Sequence, residues 1–406
     1  MAKGVANFSG KRLTEARLAR GLFKNVLGDM IGVSSAAIGR YEADQDKPHP
    51  ERLEDLASKL SFPIEFFTRP PWPEKIEPIF WRHKAAETKA AREMTEQRMR
   101  WLCEIFDVLE QEIEFPDLNV PKLDLPEDFR LISSSMIEEY AEQVRSFWRL
   151  RELPIRDMIL CVESAGVPVV MLDIPSEKQD GFFFSSQSLH RPFIGVNIHD
   201  VTSARARFDV AHELGHLCLH RMVTAEQERN QVSHKILEQQ AHRFAGAFLF
   251  PRAAFLNEVG VPSLDYFSAL KKRWGISIAA MIARSYDLGM IDSDMKTYLY
   301  ISMSKRKWRG RRREPFDDTM ALERPRMLRR GIDALLGAGD YSTQDIRSIL
   351  CLPPSEIEGI LSLSSGSLSA GILSKIDHIA RKRAPVTAED LETGNVITFP
   401  GRHVRT

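Results

Sequence analysis

The sequence predicts an α+β fold: an all-α N-terminal head, a small central domain in which a short sheet packs on one helix, and a helical C-terminal region. Three observations predict it. Short capped helical segments fill residues 9–68 and stop at a proline cluster. Three β-prone runs then occur in succession between 167 and 198, and helical periodicity resumes from 202 onward. At roughly 100–200 residues per domain, 406 residues suit two to three domains. The expected divisions are a head at 1–69, a Pro-rich linker and helical connector at 70–149, a central domain at 150–304 and a C-terminal helical region at 305–406.

In the head, Lys11–Arg20 reads as a helix ending at Gly21, and Lys24–Ile31 as a second followed by Gly32. Ser34 caps a third, Ser35–Glu42; His49–Leu60 is a fourth, and Pro63 opens a short fifth. Pro70, Pro71, Pro73 and Pro78 cannot continue a helix and read as a stiff linker. Over 84–114, Met94, Trp101, Ile105, Leu109 and Ile113 recur at helical spacing. The a/d repeat is not sustained, so an interdomain strut or packed helix is expected rather than a coiled coil. Phe115–Pro126 reads as an extended crossing, followed by helices over Ser135–Trp148 and Ile155–Ala165. Val167–Asp173, Gly181–Ser185 and Phe193–Ile198 read as strands. Thr202 or Ser203 caps a helix through about His220, and another runs from Val232 to Phe250, stopped by Pro251. The pattern is helical beyond 262, with one β-prone run at Thr297–Ser302, and 320–406 reads as short helices and an extended tail.

Composition narrows the function. Apolar residues at 43% and charged residues at 28% exclude a largely disordered chain. Lys+Arg and Asp+Glu balance at 56 each, so nucleic-acid binding must come from a local basic face. The closest of the four cysteines are 57 residues apart, which excludes a Cys-x-x-Cys zinc or redox site and argues for reduced thiols. No signal-like or membrane-spanning apolar run is present, so a cytoplasmic location is expected. Lys305–Arg313 holds seven basic residues in nine; a solvated surface is the first reading and a nucleic-acid contact the second.

Chemistry concentrates in Ala211-His212-Glu213-Leu214-Gly215-His216. Two His at i and i+4 share one helix face and can converge on a cation. Glu213 lies about 100° around the helix, off the ligand face, where it can reach a water beside the metal as a general base. The alternative is a pair of core histidines satisfied by carbonyls. Flanks as apolar as Phe208, Val210, Leu214, Leu217 and Leu219 make an unliganded pair costly. A third ligand leaves one position open for water. His220 is two turns, ~12 Å, from His212 and reads as a packing or supporting residue. Glu238 sits on a second helix whose Ala241, Ala245 and Gly246 permit close approach, and is favoured over His234.

Here the sequence resembles the ImmA/IrrE family of zinc-dependent endopeptidases. The resemblance rests on Arg207–Leu217 and on Leu237–Pro251, the latter similar to the family's E-x-x-A-x-x-F-A…P segment. It covers roughly 150–300 and implies a small zincin-like domain with Glu238 as third ligand. Where the family has Asn or Asp after E-x-x-A, this chain has His242. The resemblance also implies that a strand edge receives the substrate as an added strand; Val196-Asn197 is the candidate edge.

The head resembles the Xre/Cro-type helix-turn-helix, on Gly21-Leu22, Leu27-Gly28, Ile31-Gly32-Val33-Ser34 and Ile38-Gly39-Arg40-Tyr41-Glu42. That implies Ser34, Ser35, Ala36 and Arg40 near base edges and Lys24 on phosphate. The second helix begins Phe23-Lys24 instead of the family's Thr-Gln, so an adenine-reading amide is missing. Residues 1–69 carry eleven basic and nine acidic residues, net +2, which leaves room for a homodimer on DNA. A protein-binding head is the alternative.

The expected function is a DNA-binding transcriptional regulator with a zinc-dependent endopeptidase. Its metal would be held by His212, His216 and Glu238, with Glu213 as base, and manganese is the alternative metal. Its partners would be operator DNA and a protein substrate of repressor or antitoxin-like type, with no membrane. The competing expectation is a regulator whose zincin-like domain senses a ligand or metal without proteolysis. An adaptor using both ends for protein partners is a third.

Overall fold

In the computed structural model, residues 4–73, 80–81, 89–174, 181–309, 313–339 and 341–370 are described. The expected tail beyond 370 and part of the basic run, residues 310–312, lie outside them. The head is α1 (Gly10–Ala19), α2 (Lys24–Ile31), α3 (Ser35–Glu42) and α4 (Pro50–Leu60), closed by a 3-10 turn at Ile64–Thr68. Gly32 takes φ 69°, the left-handed conformation that ends α2, and the Ser34 hydroxyl accepts from Ala37 N to start α3. A Cβ on Gly28 would fall 2.6 Å from the Val33 carbonyl, so the α2–α3 turn closes only on glycine.

Strand β1 (Phe80–Trp81) and helix α5 (Lys89–Glu112) follow. α5 is a packed helix, as the broken heptad implied: Trp101, Leu102, Ile105 and Phe106 are fully buried. Then come α6 (Ser134–Phe147), α7 (Met158–Ser164), β2 (Val169–Leu172), β3 (Gly181–Ser186) and β4 (Arg191–Asn197). The sheet order is β1-β3-β4-β2; β4 pairs antiparallel with β3 and parallel with β2. Val196-Asn197 is therefore not an edge. Val196 faces Gly181 on one side and Met171 on the other, so no peptide can add there.

α8 (Ser203–Leu219), capped by Thr202, packs under the sheet and against α10 (Gln231–Leu249), with α9 (Ala225–Arg229) between them in sequence. The remaining helices of this half are α11 (Arg252–Glu258), α12 (Leu264–Trp274), α13 (Ile278–Asp287) and α14 (Ser293–Lys305). The β-prone run Thr297–Ser302 is thus helical. Asp292 caps α14, and Leu299 and Met303 bury at i, i+4 spacing, so tertiary anchoring outweighs the local preference of Thr, Tyr and Ile.

The C-terminal helices α15 (Met327–Gly337), α16 (Thr343–Leu350), α17 (Pro354–Ile360) and α18 (Ser367–Ala370) return to the head. Glu356 on α17 binds Arg20 of the head at 2.5 Å and Arg98 of α5 at 3.1 Å. Two apolar cores result, and the sheet is the wall between them. Val169, Met171, Phe183, Ile194 and Val196 join the core around α8, α10 and α13. Val170, Leu172, Phe182, Phe184 and Phe193 join the core of the head, α5 and α15–α17. Successive strand residues point to opposite faces, so one run of sequence supplies both cores.

Candidate metal centre and helix-turn-helix face

α8 is buried along its length, and two of its turns carry His212 and His216 inward. The helix comes close to α10 because Gly215 has no side chain: a Cβ there would lie 3.2 Å from the Ala241 backbone. Ala241 and Ala245 are fully buried, as the small-residue pattern predicts, whereas Gly246 faces Arg284 of α13. The approach places Glu238 over the histidine pair. His212 Nε2 and His216 Nε2 are 3.0 Å apart, and the Glu238 oxygens lie 3.2 Å from His216 Nε2 and 3.5 Å from His212 Nε2. Ligands held at 2.0–2.1 Å from a tetrahedral zinc are ~3.3 Å from one another, so this triangle has the dimensions of three zinc ligands. Among the described residues, His212, His216 and Glu238 form the group that could hold a metal ion. His234, one turn earlier on α10, is not in it.

The hydrogen bonds behind His216 prepare it as a ligand. The Gln240 amide nitrogen donates to the carbonyls of Phe129 and Ile132, at 2.8 and 3.2 Å. Its oxygen, 2.9 Å from His220 Nε2, must then accept, so His220 carries its proton on Nε2. Burial pushes His220 well below the usual imidazole range and keeps it neutral. Its Nδ1 is therefore an acceptor, and His216 Nδ1, 2.9 Å away, donates to it. His216 is left with an unprotonated Nε2 aimed at Glu238 and His212, the tautomer a metal requires. His220 is thus the supporting residue the sequence suggested. Spacing and motif do not point to Gln240, although it sits at the core-facing position between Leu237 and Phe244, where a polar residue is itself a signal.

Glu213 is buried, and its carboxylate lies against the start of β3: a Cβ on Gly181 would fall 2.7 Å from Glu213 Oε1. It stands on the sheet side of α8, off the ligand face. His242, where the family differs, packs tilted against Phe208 at 4.7 Å and meets His212 edge-on at 6.5 Å.

On the head, Ser34, Ser35, Ala36 and Arg40 are exposed at the start and outer face of α3. Lys24 reaches back to Glu42 at 3.0 Å, and Arg40 lies 3.9 Å from Asp46. In the basic run, Arg306 pairs with Asp265, and Arg313 lies 2.9 Å from Asp200.

The fold and the two sites define a helix-turn-helix module joined to a metallopeptidase-type domain. Comparison with known families agrees: residues 162–286 match the peptidase family described as the IrrE N-terminal-like domain, and residues 13–67 match the family described as helix-turn-helix. The first match contains the whole His-His-Glu group. No curated protein matches the chain. Among the described residues, no helix is long and apolar enough to cross a membrane.

Proposed function

We propose that the protein is a cytoplasmic, DNA-binding transcriptional regulator whose central domain hydrolyses a peptide bond in a regulatory protein of repressor or antitoxin-like type. The observation that carries this reading is the convergence of His212, His216 and Glu238 with Glu213 standing beside, not within, the triangle. His212, His216 and Glu238 would hold the divalent cation, zinc or manganese, which when bound supplies Lewis acidity for hydrolysis. Glu213 takes the proton of the attacking water and returns it to the leaving amine. On the head, Ser34, Ser35, Ala36 and Arg40 face base edges and Lys24 meets phosphate.

The test is Glu213→Gln, which keeps shape and leaves the three-residue group intact but cannot accept a proton. General acid–base assistance contributes about 10²–10⁴ in rate, so cleavage of a repressor encoded beside this chain should fall at least ~100-fold while metal content stays the same. Equal cleavage by both proteins removes Glu213 from the mechanism. A second reading, a non-proteolytic ligand or metal sensor, is favoured by the sheet wall, which sets the metal-side core directly against the head's core. Full metal, no cleavage by either protein, and DNA binding that responds to the metal would select it.

A further inference from the structure

The outer edge of β3 already carries a strand. Phe80 pairs antiparallel with Phe183 and Trp81 with Phe182, while the inner edge of β3 is taken by β4. One residue along β3 from Phe182 is Gly181, the residue that lies against the Glu213 carboxylate. The other edge strand, β2, is separated from β3 by β4. The outer edge of β3 therefore runs past Glu213, and it is where an extended chain gains backbone hydrogen bonds within reach of that carboxylate. Addition of an antiparallel strand to a sheet edge is a general mode of peptide capture.

The family resemblance already implies a substrate-receiving strand edge; we propose that Phe80–Trp81 is the resident internal occupant of the edge beside Glu213, which an incoming peptide must displace. The inference deepens the peptidase reading and takes its functional meaning from it. The occupant is tethered on both sides. Trp72 is buried in the head core and its Nε1 donates to Asp107 of α5 at 3.4 Å, while α5 buries Thr95 and Met99 on the other side of the connector. A tether this short gives the internal strand an effective concentration on the order of millimolar, above that of most free peptides. Among the described residues the pairing joins Phe80 and Trp81 to Phe183 and Phe182, and backbone bonds of this kind can be exchanged for those of an incoming strand. The edge is held closed against weak partners and opens to strong ones.

The experiment uses the full chain carrying Glu213→Gln, loaded with zinc, so that no cleavage confuses binding. The probe is a fluorescent synthetic peptide with the sequence of residues 76–86 of this chain, followed by anisotropy. Adding Phe80→Pro and Trp81→Pro removes the internal strand's amide donors and should tighten peptide binding at least ~10-fold, because apparent affinity scales with the fraction of open edges. Phe80→Gly with Trp81→Gly keeps the donors but loosens the backbone; it should shift binding the same way by less, and it serves if the proline chain does not fold. Equal binding by all three proteins, or binding by none, overturns the proposal. Cleavage plays no part in this readout, so its failure leaves the test of Glu213 untouched, and the reverse also holds.

Discussion

Replacing His220 by Phe tests whether the hydrogen-bond chain behind His216 sets metal affinity. The substitution keeps a ring of similar size in a fully buried position but deletes the acceptor that His216 Nδ1 reaches at 2.9 Å. A buried donor left unmet costs roughly 1–3 kcal/mol. His216 can relieve that cost by moving its proton to Nε2, which turns a lone pair away from the His-His-Glu triangle. Loss of an outer partner of a ligating histidine typically costs 10–100-fold in metal affinity, or about 1.4–2.7 kcal/mol. Gln240→Leu breaks the chain one link later. It should weaken zinc less and lower thermal stability more, because the Phe129 and Ile132 carbonyls also lose their donor. Zinc affinity is read by competition with a chromophoric chelator, with Glu238→Ala as the benchmark for loss of a ligand and thermal melts as the check on folding. A folded His220→Phe protein that binds zinc within twofold of the parent would refute the argument.

Two further outcomes are expected. Glu163 of α7 accepts from the backbone nitrogens of Arg326 and Met327 at the start of α15, and burial pushes its carboxyl up to about 7 from the ordinary 4.5, against the pull of those donors. Its folded value is raised, so the stability it contributes in acid is lost as pH climbs from 4.5 through about 7, a span of roughly 3 kcal/mol. The melting temperature should fall between about pH 5 and 8, and Glu163→Gln should flatten that fall; parallel curves for the two proteins would show that Glu163 is not the source. DNA binding by the full chain should weaken steeply with salt through counterion release. Ser35→Ala or Arg40→Ala should change sequence preference more than nonspecific affinity, and Lys24→Ala should lower the salt slope by about one. Anisotropy with the chain's own upstream region and with random DNA checks this, and a head that shows no salt-dependent binding to either is a protein-binding module.

The elements that sequence reveals here are those with local punctuation. Gly32 and Ser34 mark the end of α2 and the start of α3, and Thr202 marks the start of α8. The metal group is legible for the same reason: i, i+4 spacing is local, and one small-residue pattern predicts the helix that supplies Glu238. What depends on pairing across the chain is not legible. The order of strands leaves no trace in any one strand, so Val196-Asn197 reads as an edge when it is the centre. The runs Val169–Leu172 and Arg191–Asn197 are buried on both faces, so they lack the alternation that would reveal two cores. Nor does the sequence around Glu356 announce a partner 336 residues away in Arg20. Gln240 had a signal, a polar residue on an apolar face, and its meaning emerges only beside the carbonyls of Phe129 and Ile132.

The two-sided sheet bears on how such a protein can be taken apart or recombined. The connector between Pro73 and Lys89 looks like a place to cut, with one function on each side. Cutting there strips α5 from the head and leaves Leu13, Phe62 and Phe66 without the wall of Trp101 and Leu102. It also bares Trp101 on the half that keeps the metal group, since Phe62 and Phe66 of the head pack edge-on against its ring. A graft that gave this head a new effector, or this effector a new head, would have to carry α5 and the helices of 327–360 with it. The inheritable module is therefore not the contiguous stretch of chain but the core, assembled from both ends of the sequence and one face of a sheet in the middle.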